Sequence, residues 1–141
     1  MKLSLSPVKF ISMSSIFSKI VNGDIPCYRV AEDDLFLAFL DVNPLVKGHV
    51  LVIPKQEVDY VFDLEDDLLA GLTLFAKKVA IKMKRVLPCD RIGVTVIGLE
   101  VPHAHIHLMP INSVADMDFS KPKKKFDSVE LEKIAKSISE A

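Results

Sequence analysis

Three of the four histidines in this chain of 141 residues stand at alternate positions, His103, His105 and His107. Side chains in a β-strand point alternately to its two faces, so the three imidazoles would share one face. The residues between them, Ala104 and Ile106, are apolar and could pack on a core. A neutral imidazole is a good nucleophile at phosphorus, and a protonated neighbour can donate to a leaving atom. The spacing therefore predicts a reactive face.

The same spacing also suits a metal ion, because His-x-His on a strand can chelate zinc. A catalytic zinc site usually adds a carboxylate, for which Glu100 is the candidate. The fourth histidine, His49, begins an apolar run and would join the cluster if that run lies beside it. Spacing alone leaves the nucleophile and the metal site equally open, but burying several imidazoles without a task is costly.

The surrounding elements predict an α+β fold with a mostly antiparallel sheet and a long helix packed on it. Apolar runs bounded by turn residues predict strands at 35–40, 49–53, 92–97 and 101–109. Ser14 and Ser15 can cap a short helix at 16–22, which Gly23 ends. Asp63 can cap the long helix, which begins at Leu64 and ends before Pro88, and Ser128 can cap a C-terminal helix.

The remaining features constrain organisation and partners. Residues 1–13 are expected to form a partly ordered leader before one domain, residues 14–141. The net charge of −1 argues against a nucleic-acid or membrane partner, and no apolar run is long enough for a membrane span. Cys27 and Cys89 form no metal or disulfide pattern, which favours a reducing, cytoplasmic setting. The basic run at 121–125 is expected to be a solvated loop, with contact to a polyphosphate as the alternative.

The segment from His103 to Met109, HAHIHLM, matches the HφHφHφφ signature of the histidine triad superfamily, in which φ is apolar. Three upstream segments resemble its Hint branch: IFSKIVNGDIP at 16–26, LAFLD at 37–41 and GHVLVIPK at 48–55. The resemblance extends in order from Ile16 to Pro110. The chain is therefore identified as a member of the histidine triad superfamily.

The resemblance implies a homodimer that binds a purine nucleotide and cleaves a nucleoside phosphoramidate or a dinucleoside polyphosphate without a metal or another cofactor. His105 would attack the α-phosphorus and form a nucleotidyl-histidine intermediate. The carbonyl oxygen of His103 would accept a hydrogen bond from Nδ1–H of His105. His107 and His49 would contact phosphate oxygens or assist the leaving group. A histidine at 107 favours the hydrolases over the transferase branch, which has glutamine there.

The resemblance also assigns nucleotide-binding residues. Asp41 would hold the ribose hydroxyls, and an apolar slot around the base would be formed by Ile16, Phe17, Ile20 and Phe39. Without the resemblance, the residue types predict a turn position for Asp41 and core positions for the four apolar residues.

The chain departs from the family pattern just before the motif. Glu100 replaces a hydroxyl residue that would contact phosphate, and a carboxylate there would repel the phosphate. Pro102 has no N–H and suggests a sheet-edge position. The alternative to a hydrolase is therefore a non-catalytic nucleotide-binding or scaffold protein of the same fold.

Overall fold

The computed structural model describes residues 14–141, so the predicted leader at residues 1–13 lies outside the described part of the chain. Two short 3₁₀ turns, Val61–Asp63 and Val114–Met117, accompany the main elements. In chain order the main elements are α1 Ile16–Val21, β1 Arg29–Glu32, β2 Phe36–Leu40, β3 Val50–Pro54, α2 Asp66–Val86, β4 Arg91–Thr95, β5 Ile106–Ile111 and α3 Ser128–Ser139. None of these helices combines the length and the apolar composition that crossing a membrane requires.

The five strands form one sheet in the order β1-β2-β3-β5-β4, and all neighbouring strands are antiparallel. The predicted α+β fold is thus confirmed. The pair predicted from the runs at 35–40 and 49–53 is β2–β3, with Leu40 opposite Val50. β5 lies between β3 and β4 and brings His107 opposite Leu51.

β2 and β3 are buried along their whole length because both faces of the sheet are covered. On one face, the side chains of Ala38 and Val52 belong to the core that includes α2 and α3. On the other face, Leu37, Phe39, Leu51 and Ile53 pack with Phe17 and Ile20 of α1. Since His107 is directly opposite Leu51, its side chain lies on the face covered by α1.

The helix ends agree with the sequence at α1 and differ at α2 and α3. The Ser15 hydroxyl accepts from the N–H of Ser18, so Ser15 caps α1 as predicted. The prediction of Asp63 as the cap of the long helix is wrong, because Asp63 lies in a 3₁₀ turn and Glu65 occupies the N-cap position of α2 without a side-chain hydrogen bond. Asp127 caps α3, and Ser128 is its first residue.

The predicted strands at 35–40 and 49–53 differ from the structure by a single residue, the two later ones differ by more, and β1 was not predicted. β1 is a four-residue edge strand with an irregular register and only two apolar residues, which leaves little pattern to recognise. β4 ends at Thr95 rather than at Ile97. β5 begins at Ile106 rather than at Val101, and it continues past Pro110 to Ile111.

The late start of β5 follows from backbone hydrogen bonds near Pro102. Pro102 lies in a bend before the strand and not on a sheet edge, which corrects the prediction. The N–H of His103 donates to the carbonyl oxygen of Val101, and that of Ala104 donates to Val58. These N–H groups are therefore not used in the sheet ladder. Pro110 is tolerated within β5 because the pairing with β3 ends at Leu108.

Gly48, which precedes His49, has a left-handed backbone conformation and packs closely against Leu87. Gly48 has a φ of 83°. A Cβ atom on Gly48 would lie 2.6 Å from Cδ1 of Leu87. We expect Gly48→Ala to lower the free energy of unfolding by about 2–3 kcal/mol, of which about 1 kcal/mol comes from the left-handed backbone. Urea denaturation measures this loss.

Gly23→Ala is the matched control, because Gly23 has a φ of 84° but nothing lies within 4 Å of the added Cβ. This variant should lose only the backbone contribution of about 1 kcal/mol. Equal losses in the two variants would contradict the close packing of Gly48 against Leu87.

Candidate active site

The side chain of His105 is oriented by a backbone group. Its Nδ1 lies 2.7 Å from the carbonyl oxygen of His103. A carbonyl oxygen can only accept, so Nδ1 carries the hydrogen, and Nε2 of the neutral ring keeps its lone pair. The Phe17 ring packs edge-on against this imidazole, with centroids 5.1 Å apart and planes at 86°. In its neutral form, the His105 ring therefore presents the lone pair of Nε2.

The buried side chain of His103 holds that carbonyl group in place. Its Nε2–H donates to the carbonyl oxygen of Pro54 at 2.8 Å, and its Nδ1 accepts from the Ser15 hydroxyl at 2.9 Å. These two partners come from the end of β3 and from the cap of α1. Burial lowers the pKa of His103, so the ring stays neutral near pH 7. His103, in the bend before β5, thus connects that bend to the end of β3 and to the cap of α1 beneath His105.

His49 and His107 form a second directed pair. The N–H of Leu45 donates to Nδ1 of His49 at 3.0 Å, so the hydrogen of the neutral ring is on Nε2. Nε2 of His49 lies 2.9 Å from Nδ1 of His107 and donates to it. Nδ1 of His107 is therefore an acceptor, and the hydrogen of its neutral ring is on Nε2. His107 can offer an N–H beside the lone pair of His105, their ring centroids being 4.9 Å apart.

Both rings of this pair are held neutral by their surroundings. Burial, assisted by the positive charge that His107 would carry, lowers the pKa of His49 to about 3. Burial and the neighbouring His105 lower the pKa of His107 to about 4. Because both values lie well below 7, the hydrogen-bond directions deduced for neutral rings apply near neutral pH.

Asp41 lies next to His49 at the end of β2. One carboxylate oxygen accepts from the N–H of Asn43 at 2.8 Å, which is the turn role expected from the sequence. The other oxygen is 3.8 Å from Nε2 of His49. Burial raises the pKa of Asp41, while the N–H of Asn43 and the Lys123 ammonium oppose that rise.

Asp41, His49 and His107 are also the described residues that could hold a metal ion. Each offers one ligand atom, and these atoms lie within 4.8 Å of one another. The carboxylate of this set is Asp41, whereas the sequence suggested Glu100. The hydrogen bond between His49 and His107 uses both facing nitrogens, so a metal ion would have to displace its proton.

His105 and His107 line a cavity of about 220 Å³. Phe17, Asp41 and Glu100 line it as well, so the structure brings these predicted residues together. His49 and His103 lie behind the wall, nearly inaccessible to solvent, and act on the cavity through His107 and through the His103 carbonyl.

The predicted apolar slot is only partly present at this cavity. Phe17 lines it, whereas Ile20 and Phe39 lie in the buried cluster behind Phe17. The side chain of Ile16 is 50% exposed and points away from that cluster. A six-residue helix has one inward face, and it is occupied by Phe17 and Ile20.

Two residues of this site are not predicted from the sequence, and a third, Lys123, belongs to the basic run whose contact with a polyphosphate is only the alternative interpretation. Ser15 was recognised only as a helix cap, although its hydroxyl also contacts His103. Phe119 and Lys123 line the cavity from the segment that follows β5. An isolated aromatic residue among polar turn residues, followed by the basic run, was the available signal for these two.

Comparison with known proteins agrees with this geometry. Residues 22–114 match the family model described as the HIT domain. The chain belongs to the HIT family. An adenosine 5′-monophosphoramidase of Schizosaccharomyces pombe is 43% identical over 100 residues, which cover 70% of this chain and 74% of that protein. An uncharacterised HIT-like protein of Borreliella burgdorferi is 39% identical over 102 residues, or 67% of this chain and 73% of that protein.

Solved structures show the same HIT fold. A HIT-like protein of Bartonella henselae superposes with a TM-score of 0.79 at 30% identity, covering 90% of this chain and 95% of that one. A histidine triad nucleotide-binding protein of Sulfolobus tokodaii gives a TM-score of 0.76 at 30% identity, covering 89% of each chain. A zinc-bound histidine triad protein of Mycobacterium smegmatis gives a TM-score of 0.78 at 28% identity, covering 92% of this chain and 93% of that one.

The neutral histidines make stability depend on pH. The pKa values of His49 and His107 are about 3 and about 4 in the folded protein. In the unfolded chain histidine titrates near its reference pKa of about 6.5. As the pH falls below that value, only the unfolded state gains these protons, so the free energy of unfolding should fall by about 2 kcal/mol for each of the two histidines, roughly 3–4 kcal/mol in total, between pH 7 and pH 5. Urea denaturation across this range measures the loss.

His49→Gln is the control, because glutamine can donate and accept but does not titrate. This variant should lose less stability over the same pH range than the unsubstituted protein. Parallel pH profiles for the two proteins would show that His49 is not the source of the dependence.

Proposed function

We propose that this HIT protein is a nucleotidyl hydrolase that cleaves the P–N or P–O bond at the α-phosphate of a purine nucleotide. The observation that carries the proposal is the pairing of an unprotonated Nε2 on His105 with an N–H on His107 in one cavity. The similarity to an adenosine 5′-monophosphoramidase supports a nucleoside phosphoramidate as the substrate class, with a dinucleoside polyphosphate as the second class.

In the first step, the Nε2 lone pair of His105 attacks the α-phosphorus and forms a P–N bond. The bond between phosphorus and the leaving group breaks, and the leaving group takes the electron pair. The His105 ring becomes positively charged in this step, and the His103 carbonyl dipole stabilises that charge through the Nδ1–H. The product is a nucleotidyl-histidine.

The leaving group takes its proton from solvent water, because a neutral imidazole that gave up its one hydrogen would become an imidazolate, and it is assisted by a hydrogen bond from His107. The Nε2–H of His107 is on the cavity side because Nδ1 is occupied by the hydrogen bond from His49. An amine leaves as a neutral molecule once it has this proton. In the second step water attacks the phosphorus, the P–N bond to His105 breaks with its electron pair returning to Nε2, and the proton of the attacking water goes to solvent, so the nucleotide is released and His105 is regenerated.

The remaining lining residues would bind the nucleoside. Asp41 keeps one oxygen that does not take part in the turn, and that oxygen can accept from ribose hydroxyls. Phe17 would contact the base, with Ile20 and Phe39 supporting it from behind. Ile16 is exposed, and a base contact by this residue requires a ligand that extends outside the cavity.

Glu100 favours a second candidate function. Its carboxylate lines the cavity together with Asp41, and two acidic groups disfavour a phosphate. A non-catalytic nucleotide-binding or scaffold protein would keep the cavity without efficient turnover. Nucleotide binding without release of AMP from any phosphoramidate would select this alternative over the hydrolase.

The decisive experiment compares the protein with a His105→Ala variant on adenosine 5′-phosphoramidate. Removal of the nucleophile should lower kcat/KM by about 10⁴-fold or more, as for other residues that form covalent intermediates. Chromatography of released AMP gives the rate, and mass spectrometry after an alkaline quench should detect one nucleotidyl group on the unsubstituted protein. Unchanged AMP release by His105→Ala would contradict the mechanism.

Two controls sharpen this experiment. His107→Asn keeps the nucleophile and should slow a substrate with a basic amine leaving group by about 10²-fold, and a nitrophenyl ester of AMP far less. Full activity after exhaustive chelation is expected for the metal-free mechanism. Loss of activity that zinc restores would instead support a metal ion at Asp41, His49 and His107.

We further propose that the chain forms a homodimer through β4 and acts in the cytoplasm. β4 is an edge of the sheet, and its side chain Val94 is 60% exposed. Val96 and Ile97, just after the strand, are 40% and 43% exposed. An apolar edge strand favours pairing with another chain. Both cysteines of the chain are free thiols, which is consistent with a reducing compartment.

Val94→Asp should therefore convert a dimer into a monomer, because it places a charge in the centre of the proposed interface. Light scattering after gel filtration measures the mass. Val129→Asp is the matched control, since Val129 is 58% exposed on α3 and lies away from β4. An unsubstituted protein that is monomeric at micromolar concentration would contradict the proposal.

A further inference from the structure

Lys123 stands out when the charges around the cavity are considered together. Among the described residues that line it, Asp41 and Glu100 carry carboxylates and Lys123 has the one ammonium group. His107 stays neutral at pH 7, because burial and His105 lower its pKa to about 4. Without Lys123, the cavity would offer a phosphate two acidic groups and no permanent cation. A nucleotide phosphate at this place requires a compensating positive charge.

Phe119 places the Lys123 ammonium beside the histidines. The Phe119 ring packs edge-on against His107, with centroids 5.1 Å apart, and against His49, at 6.1 Å. Nζ of Lys123 lies 5.1 Å from the centroid of that ring and donates to the Phe119 carbonyl oxygen at 3.3 Å. The cation therefore lies over the face of a ring that also packs against His107.

The segment that carries both residues is tied to the active-site connection between β2 and β3. The N–H of Lys124 donates to the carbonyl oxygen of Pro44 at 2.8 Å, three residues after Asp41. The Asp118 carboxylate accepts from the N–H and the hydroxyl of Ser120, which makes a tight turn beside Phe119. These contacts hold Phe119 and Lys123 against the cavity although the sequence around them is polar.

The charge of Lys123 also acts on its neighbours. Burial has the largest effect on the pKa of each of these three groups. It raises the pKa of Asp41 and lowers the pKa of His49 and of His107. The Lys123 ammonium lowers the pKa of all three groups. It thus opposes the protonation of Asp41 and helps to keep both histidines neutral. Lys123 is itself exposed to solvent, and its ammonium lies near enough to act on all three groups.

We propose that Lys123, held on the Phe119 ring, is the phosphate-binding cation of this active site. Both residues lie beyond residues 22–114, the part that matches the HIT domain, so the segment after the domain completes the site. The ligand class is an adenine nucleotide with at least one phosphate, as opposed to a neutral nucleoside. The inference rests on the proposed function, whose nucleotide site it completes.

The test compares the affinities for AMP and for adenosine by NMR titration, which also measures weak binding. Lys123→Gln should weaken AMP binding about tenfold, the range of a lost charge-assisted hydrogen bond, and leave adenosine binding unchanged. The dependence of AMP affinity on salt should become shallower in this variant. Lys123→Arg should retain most of the affinity for AMP.

Lys125→Gln is the matched control, because Lys125 is an exposed lysine of the same segment and does not line the cavity. It should leave both affinities unchanged. Phe119→Leu removes the aromatic face but keeps an apolar cover, and it should weaken AMP binding by a smaller factor than Lys123→Gln. Equal effects of Lys123→Gln and Lys125→Gln on AMP would overturn the inference, as would a parallel loss of AMP and adenosine binding in Lys123→Gln.

The outcome separates this inference from the hydrolase proposal. Lys123-dependent AMP binding without release of AMP from a phosphoramidate would uphold the inference and overturn the hydrolase. Efficient hydrolysis with no effect of Lys123→Gln on AMP affinity would uphold the hydrolase and overturn the inference. An unsubstituted protein that binds no AMP would overturn the inference, whereas the hydrolase is decided by the release of AMP from a phosphoramidate.

Discussion

The chemistry of the site depends on one hydrogen bond, from Nδ1–H of His105 to the carbonyl oxygen of His103 at 2.7 Å. Because a carbonyl oxygen cannot donate, this contact selects the tautomer that leaves a lone pair on Nε2. The carbonyl group is held in turn by the buried ring of His103, which bonds to Ser15 and Pro54. The helix cap, the end of β3 and the bend before β5 thus all serve the orientation of one imidazole.

A second constraint is the burial of several histidines close together. Charged imidazoles would repel one another and lose hydration, so burial lowers the pKa of His49, His103 and His107. The cost of burying their polar atoms is offset because directed hydrogen bonds occupy the inner ring nitrogens. The consequence is a cavity in which the neutral His107 adds an N–H but no positive charge. Such a site depends strongly on any full positive charge that the chain places nearby, and Lys123 is in that position.

Much of the fold could be predicted from the sequence, because apolar periodicity is a local signal. The runs that became β2 and β3 are apolar throughout, since helices cover both faces of the sheet there. β1 has too few apolar residues for recognition, and its place was decided by pairing with β2. The alternation through residues 101–105 predicts a strand, but the N–H groups of His103 and Ala104 donate to the carbonyl oxygens of Val101 and Val58 instead of to the sheet.

The sequence by itself determined that His103, His105 and His107 belong to one family motif, because alternation and the motif are properties of neighbouring residues. It could not determine how each ring is used. The tertiary structure decided that His105 and His107 face the cavity while His103 is buried beneath them. It also decided that the hydrogen bond from His49 places the hydrogen of the neutral His107 ring on Nε2. Only folding brings Phe119 and Lys123 to the histidines, because contacts between distant segments leave no periodic signal in the chain.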